Sequence, residues 1–277
     1  MPELPEVETI ARLLRQGVAD TPGILGRNIT AVQVLWARSV AQPSAVDFQA
    51  RLPGQEILDI GRRGKFLLLN LTQDNLLIHL RMSGDLLVEP RSVEIAPHHR
   101  VLLEFKDGWR LAFNDPRKFG RMWLVADPLT VLGNLGPEPF DRSLDGEGLY
   151  NRLHKTRRQL KPLLLDQHFL AGMGNIYTDE ALHLARLHPS MIASAVTWEQ
   201  SQNLLQSMRQ VLQAGIERHG TSIDWVYRGG DYQRYLRVYH RTGQPCPVCG
   251  TPVERFVVGQ RSTHYCPSCQ VLTGKDA

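Results

Sequence analysis

The chain has 277 residues, 42% of them hydrophobic and 22% charged, with a formal net charge of +4 at pH 7. This composition is ordinary for a globular protein, and the longest apolar stretch, around residues 66–71, is too short to cross a bilayer. The charge is uneven: residues 1–150 carry 17 Lys and Arg against 19 Asp and Glu, whereas residues 151–277 carry 15 against 9. The basic second half predicts a polyanionic partner, although many proteins share such a bias. The first residues lack a basic region followed by an apolar one, so we expect no secretory signal.

The N-terminal residues allow a catalytic interpretation. If Met1 is removed, Pro2 becomes the N-terminus and carries a secondary amine. An α-amino group has a pKa of about 8, so a useful fraction is unprotonated and nucleophilic at neutral pH. Its attack on a sugar aldehyde carbon gives an iminium, which is an electron sink for elimination, and Glu3 and Glu6 stand beside it as acids that can move protons.

The same residues also suit the start of a helix. Pro5 fits the first helical position, and Glu6 and Glu8 fit the positive end of the helix dipole. Both interpretations can hold together. A predicted buried stripe at helical spacing follows, made of Leu4, Val7, Ile10, Leu14 and Val18.

Short strands are predicted up to residue 127. Turn-forming residues separate them, and this spacing favours an antiparallel sandwich or barrel over alternating strands and helices. The predicted strands are 29–35, 56–60, 65–71, 75–80, 86–89, 101–105, 110–113 and 121–125. Residues 128–148 are rich in Pro and Gly and are interpreted as a linker.

The second half has helical periodicity. The predicted helices are 149–158, 161–166, 175–187 and 197–219, the last opening with a capping-box signature at Thr197 and Gln200. Between two of them lies Gly172-Met173-Gly174-Asn175, a tight turn whose backbone N–H groups suit a phosphate. A plain helix–turn–helix corner without a ligand is the alternative.

All four cysteines lie near the end of the chain, in two CxxC pairs separated by 16 residues: Cys246, Cys249, Cys266 and Cys269. This spacing can place four thiolates around zinc and leaves no open position for a substrate, so we predict a structural zinc ion in a reducing cytoplasm. A hairpin is predicted between the pairs, at residues 253–258 and 262–265, with Arg261 at its tip. A redox role for the CxxC pairs is the alternative, but no thioredoxin-like pattern surrounds them.

Six motifs occur in an order that resembles one family over nearly the whole chain. They are PELPEVET at 2–9, RRGK at 62–65, HLRMSG at 79–84, DPRKFG at 115–120, GMGNIY at 172–177 and GQR at 259–261. With the cysteine pairs, this ordered set resembles the bacterial formamidopyrimidine-DNA glycosylases. The related endonuclease VIII enzymes begin Pro-Glu-Gly-Pro-Glu, so Leu4 favours the first group.

The resemblance implies a catalytic set. Pro2 is similar to the nucleophile that attacks C1′ of the damaged nucleotide and expels the base. Glu3 is similar to the acid that assists sugar opening, and Glu6 to a supporting carboxylate. The iminium then drives β- and δ-elimination. Lys65 matches the family's phosphate-binding lysine, whose charge stabilises the backbone at the reaction centre.

The resemblance also implies residues that bind DNA. Chemistry at C1′ requires the nucleotide to leave the stack, and Met82, Arg117 and Phe119 match the set that fills the vacated space. Core packing is the alternative for Met82 and Phe119, but both stand at polar turns, which favours exposure.

Further residues resemble the family's phosphate contacts. Asn175 and Arg261 match the pair that pinches a phosphate near the lesion, and His79 and Tyr239 are additional candidates. A histidine that ends a strand is as readily structural, so both interpretations of His79 stay open.

Two stretches depart from the family. Residues 97–100 read Pro-His-His-Arg where the family has Lys-His-x-His, and the stretch 221–233 is shorter than the loop that covers the flipped base in the family. The second departure puts the lesion preference in doubt, but not the sugar chemistry.

The sequence therefore predicts an α+β protein of two domains. The boundaries are an antiparallel β-sandwich with a flanking helix at 1–127, a linker at 128–148, a helix–two-turn–helix domain at 149–240 and a zinc ribbon at 241–277. We expect a monomeric, cytoplasmic, nucleoid-associated bacterial enzyme with one structural zinc ion, acting on double-stranded DNA with oxidised purines or abasic sites. The alternatives are a preference for oxidised pyrimidines and a non-catalytic protein that binds damaged DNA.

Overall fold

The computed structural model describes residues 1–222 and 229–272. The chain forms two compact units, one of Met1–Asn134 with Ser222–Gly229 and one of Leu135–Thr221 with Gly230–Ala277. The four-part division predicted from the sequence stays a prediction. Its linker, residues 128–148, holds a one-turn helix and the start of another. Among the described residues, none of the helices is both long and apolar enough to span a membrane.

The first unit is built from two β-sheets. Its elements are α1 (Leu4–Gln16), β1 (Gly17–Val18), β2 (Thr21–Pro22), β3 (Ile29–Val34), β4 (Val40–Gln42), α2 (Ala45–Arg51), β5 (Ile57–Arg63), β6 (Phe66–Leu71), β7 (Asn75–His79), β8 (Asp85–Pro90), β9 (His99–Phe105), β10 (Trp109–Asn114), β11 (Arg121–Val125) and α3 (Leu129–Leu132). One sheet has the order β3-β9-β10-β8 and the other β4-β11-β7-β6-β5. All pairs in the two sheets are antiparallel except β4 with β11.

Apolar residues of both sheets meet in one core. In β6, Leu67, Leu69 and Leu71 are buried while the residues between them are half-buried, which is the period-2 pattern of a strand with one face inward. Residues from β3, β9 and β10 belong to the same core, together with Val7 and Ile10 of α1. The predicted antiparallel sandwich with a flanking helix is therefore confirmed.

Helix α1 begins where the sequence places the helix signals. Glu3 is the N-cap and forms a capping box with Glu6, and Pro5 lies in the first turn. The helix ends at Gly17, whose φ of +74° and close approach to the Thr21 carbonyl exclude a side chain. Val18 was predicted to continue the buried stripe. That prediction is wrong, because Val18 lies beyond the helix in β1 and is 56% exposed.

The second unit contains four α-helices and a hairpin among its described residues. They are α4 (Gly146–Leu153), α5 (Leu160–Leu164), α6 (Asn175–Leu184), α7 (Trp198–Glu217), β12 (Glu254–Val258) and β13 (Arg261–Tyr265). The capping box of α7 is present: the Thr197 N–H donates to Gln200 Oε1 at 2.8 Å and the Gln200 N–H to Thr197 Oγ1 at 3.2 Å. Helices α4 and α6 pack against α7, and α6 also packs against β13. The start of α6 and the tip of the hairpin are thereby brought into one region.

Candidate active site and nucleic-acid interface

Two carboxylates are buried at the start of α1. The side chains of Glu3 and Glu6 are 3% and 2% exposed, and the Glu3 N–H donates to Glu6 Oε2 at 2.8 Å. Pro2 is buried directly before them, whereas Met1 is exposed. While Met1 is attached, the Pro2 nitrogen belongs to a peptide bond and has no basic lone pair. The geometry thus provides acids beside a nitrogen that becomes an amine only when Met1 is removed.

Lys65 lies in the tight turn between β5 and β6. The turn uses Gly64 at a φ of +57°, and the Lys65 side chain is buried. Helix α1 packs along β5 and β6, and an ion pair of 3.0 Å joins Glu8 of the helix to Arg62 just before the turn. The predicted nucleophile, acids and lysine are therefore all carried by elements that pack against one another.

His79 ends β7 opposite Phe66, and the two rings meet edge to face with centroids 4.7 Å apart. Burial, together with the charges of Arg81 and Lys65, lowers the pKa of His79 from 6.5 to about 3. The ring is thus neutral at pH 7. Since the Arg81 N–H donates to Nδ1 at 3.0 Å, the proton of the neutral ring is on Nε2. His79 has a structural bond on one nitrogen and a donor suited to a phosphate on the other.

Met82 and Phe119 are exposed, at 42% and 49%, as their polar turns predict. Each lies in a loop at the end of a strand, and Asp115 joins the two loops. The buried Asp115 carboxylate accepts the Ser83 hydroxyl from the first loop and the Gly120 N–H, at 2.7 Å, from the second. One carboxylate thus sets the spacing of the two loops.

The second loop also positions an arginine. The Arg117 N–H donates to Ser83 Oγ at 3.2 Å, and its guanidinium lies 5.1 Å from the centre of the Phe119 ring. A side chain at Gly120 would lie 2.3 Å from the Phe113 ring, so only glycine permits this packing. The structure therefore groups the three predicted intercalating residues.

In the second unit, Asn175 occupies the first turn of α6 after the Gly172–Gly174 turn, where Gly172 has a φ of +98°. Its Nδ2 donates to the Ser262 carbonyl at 3.0 Å. This bond fixes the orientation of the Asn175 amide, because the flipped amide would place Oδ1 against the Ser262 carbonyl oxygen, and neither oxygen can donate a hydrogen bond. The helix start and the hairpin are therefore held together next to the exposed Arg261.

Tyr239 is positioned by a buried carboxylate that the sequence analysis missed. Glu180 accepts the backbone N–H groups of residues 237, 238 and 239 at 2.8, 3.0 and 2.9 Å. Burial raises the pKa of Glu180, and the three N–H donors oppose that rise. The chain that leads to the hairpin is thus held against α6.

A second buried network was also missed. Lys161 and Asp179 are fully buried, with Nζ 2.6 Å from Oδ1. Asp179 Oδ2 accepts the His264 backbone N–H at 2.9 Å, and Lys161 Nζ donates to the Ser262 carbonyl at 2.8 Å. The available signal was the apolar surrounding of Lys161 in Leu160–Leu165, which is unusual for an exposed lysine.

The four cysteine sulfurs lie within 4.8 Å of one another. The Cys249–Cys266, Cys249–Cys269 and Cys246–Cys269 separations are 3.4, 3.5 and 4.0 Å. Sulfurs around a tetrahedral zinc at about 2.3 Å lie about 3.8 Å apart, so the cluster fits the metal. Hydrogen bonds from Thr251 lower the pKa of Cys249 to about 6, whereas burial raises the pKa of Cys266 and of Cys269. The charge of a bound zinc ion would favour the thiolate form of all four.

Three family models match successive parts of the chain. The formamidopyrimidine-DNA glycosylase N-terminal domain matches residues 1–122, the formamidopyrimidine-DNA glycosylase H2TH domain matches 135–226, and a zinc finger found in FPG and IleRS matches 243–271. The zinc-finger match and the sulfur cluster together confirm the predicted structural zinc ion.

Curated relatives and solved structures agree with these matches. The chain is 43% identical to a formamidopyrimidine-DNA glycosylase of Pelotomaculum thermopropionicum, over 98% of this chain and 99% of the relative. It is 45% identical to one of Chloroflexus aurantiacus, over 98% of each. A Lactococcus lactis FPG variant in complex with Fapy-dG containing DNA has a TM-score of 0.90 at 33% identity, and MutM in complex with carbocyclic 8-oxo-G containing DNA has 0.90 at 34%. Each covers 98% of this chain and 100% of its own. The chain therefore belongs to the formamidopyrimidine-DNA glycosylase family.

Proposed function

We propose that this chain is a bifunctional DNA glycosylase and abasic-site lyase that removes oxidised purines from double-stranded DNA. The observation that carries the proposal is the pair of buried acids, Glu3 and Glu6, directly after Pro2 at the start of α1. Related proteins have been solved with Fapy-dG and 8-oxo-G containing DNA, which supports the same class of substrate here.

The chemistry begins with the Pro2 amine, once Met1 has been removed. Its lone pair attacks C1′ and the amine loses its proton, while the glycosidic bond breaks with its electron pair leaving on the base, so that this proton can neutralise the departing base. Glu3 donates a proton to the sugar ring oxygen as the ring opens, which leaves an iminium between Pro2 and C1′. Loss of a C2′ proton then breaks the bond from C3′ to the 3′ phosphate, and loss of a C4′ proton breaks the bond from C5′ to the 5′ phosphate. Water hydrolyses the remaining iminium, which releases the sugar fragment as an aldehyde and restores the Pro2 amine.

The exposed residues of the two loops support extrusion of the nucleotide. Unstacking a base costs a few kcal/mol. Met82 and Phe119 supply apolar wedges for the vacated space, and Arg117 supplies donors for the orphaned base. The shared Asp115 anchor holds the two loops that carry these side chains before DNA binds, which lowers the ordering cost of binding.

Phosphates are held by both units in this proposal. In the first unit the phosphate contacts are Lys65 and the Nε2–H of His79. In the second unit they are Asn175, Tyr239 and Arg261. The zinc ion has no part in the chemistry and stabilises the ribbon that carries Arg261. The protein acts on DNA as a monomer in the bacterial cytoplasm.

Cleavage of defined duplexes tests the proposal. We expect faster cutting of strands with 8-oxoguanine or a formamidopyrimidine than of strands with an oxidised thymine, with phosphates left on both ends of the gap. A preference for the oxidised thymine would reassign the lesion class. Binding of lesion duplexes without any cleavage would replace the enzyme by a binding protein.

A further inference from the structure

A pocket of about 370 Å³ lies in the second unit, lined by His240, Thr242, Arg255, Ser262 and His264. None of these residues is among the predicted DNA contacts. The lining carries a guanidinium, two imidazoles and two hydroxyls, and no carboxylate is among the described residues that line it. Such a set of donors suits an anion.

The hairpin sorts its charges between two faces. Arg255 pairs with His264 across the strands, and Glu254 pairs with Tyr265. Side chains of directly opposite residues share a face, and successive residues alternate. The acid therefore lies on the other face, where Glu254 Oε2 accepts the Tyr265 hydroxyl at 2.8 Å. The pocket face is left cationic.

Arg255 is already oriented. Its Nε donates to Ser262 Oγ at 2.7 Å, so the outer N–H groups of the guanidinium are the ones that can reach a ligand. His264 is held by the buried Asp179, whose Oδ2 accepts the His264 backbone N–H at 2.9 Å and lies 3.3 Å from Nδ1, so Nε2 is the ring nitrogen that can reach a ligand. The side chains that line the pocket are therefore held in position before any ligand binds.

His240 has an unusual backbone conformation at the rim of the pocket. Its φ is +58°, a left-handed conformation that costs a non-glycine residue on the order of 1 kcal/mol. The imidazole stacks on the Tyr239 ring at 4.7 Å with an angle of 10° between the planes, and lies 5.7 Å from His264. The imidazole therefore lies between a predicted DNA contact and the pocket.

The pocket adjoins the phosphate contacts proposed above. His240 follows Tyr239 and stacks on its ring, and the Ser262 carbonyl accepts the Asn175 amide at 3.0 Å. We propose that this pocket binds a second phosphate of the DNA backbone, next to the phosphate contacts proposed for Asn175 and Tyr239. The proposal rests on the proposed function, because it requires that the chain binds DNA.

The first test is the salt dependence of binding to a duplex that carries a stable abasic-site analogue. One phosphate contact contributes about 0.9 to the slope of log K against log salt. We expect Arg255→Ala to reduce the slope by about one, whereas Arg142→Ala, which removes an equal charge at an exposed site of the same unit, should leave it unchanged. Equal slopes for Arg255→Ala and Arg142→Ala would overturn the proposal.

The second test places a neutral methylphosphonate at each phosphate near the lesion in turn. The wild-type protein should lose affinity at the pocket's phosphate. Both Arg255→Ala and His240→Gly should become insensitive to neutralisation at that position alone. Glycine relieves the positive φ, so His240→Gly should melt no lower than wild type, and its weaker binding cannot be attributed to unfolding. Wild-type sensitivity at every position in both variants would refute the pocket.

Cleavage by the wild-type protein separates the two proposals. If lesion strands are cut but both variants bind and respond to salt as wild type does, the second phosphate site is wrong and the proposed function stands. If the wild-type protein cuts no lesion strand, the proposed function itself is wrong.

Discussion

Ser83→Ala is the substitution that most directly tests how the two DNA-facing loops are held. The buried Ser83 hydroxyl donates to Asp115 and accepts the Arg117 N–H at 3.2 Å. Alanine removes both bonds without adding volume. It leaves the fully buried Asp115 with one donor fewer and the Arg117 N–H without its partner.

The size of the effect follows from these two bonds. A hydrogen bond to a charged group contributes about 1.5–3 kcal/mol, and a stranded buried donor costs about 1–3 kcal/mol. Arg117 is exposed, so water can satisfy part of the second cost. We therefore expect the free energy of unfolding of the first unit to fall by about 2–3 kcal/mol, or roughly 5–10 °C in melting temperature.

The same substitution should affect activity selectively. Excision of a lesion from a duplex requires extrusion of the nucleotide, whereas a single-stranded abasic oligonucleotide does not. Ser83→Ala should slow duplex excision by at least tenfold and leave cleavage of the single-stranded substrate close to wild type. Ser92→Ala, an exposed serine of the same unit, serves as the control and should change neither rate nor stability. If Ser83→Ala melts and cleaves like Ser92→Ala, the Asp115 anchor does not hold the loops.

Three further predictions concern stability. Lys161→Met should lower the free energy of unfolding of the second unit, measured by urea titration, by about 3–5 kcal/mol, because it leaves Asp179 as a buried unpaired charge. The double variant Lys161→Met with Asp179→Leu should recover much of that loss. His79 has a pKa of about 3 in the folded state against 6.5 in the unfolded state, so its contribution to the free energy of unfolding is fully present above pH 6.5 and is lost as the pH falls from 6.5 towards 3. Between pH 7 and pH 5 the free energy of unfolding should fall by about 2 kcal/mol from this residue. His79→Gln should flatten that part of a curve of stability against pH. Removal of zinc by a chelator should unfold the ribbon and abolish DNA binding while the far-ultraviolet signal of the β-sandwich persists; retained binding after complete metal loss would contradict a structural role.

Most of the fold could be predicted because its signals are local. The alternation in Leu67–Leu71 and the turn residues between the strands placed the strands from β6 to β11 within two residues and β5 within three. The observed strand ends differ from the predicted ones because backbone pairing with a neighbouring strand, as between His99 and Asn114, extends a strand beyond its apolar residues. Helix α2 was missed even though Ser44 caps it, since seven residues give too short a period to recognise.

The site could be predicted only in part, because much of what positions it joins distant residues. The exposure of Met82 and Phe119 followed from their polar turns, and the zinc ligands followed from their spacing. The contact of Lys161 with Ser262 crosses 101 residues, and that of Glu180 with the 239 N–H crosses 59. Such pairs leave no periodic pattern, so a sequence read without a structure interprets these charges as solvent-exposed.

The central claim is that the amine of Pro2, freed by removal of Met1, forms the covalent intermediate. Borohydride reduction of the full-length protein mixed with a lesion duplex, followed by mass mapping of the trapped peptide, tests this directly. The account predicts one adduct, on Pro2, and none on protein that retains Met1. An adduct on Lys65 or another lysine, or full cleavage by protein that retains Met1, would contradict it.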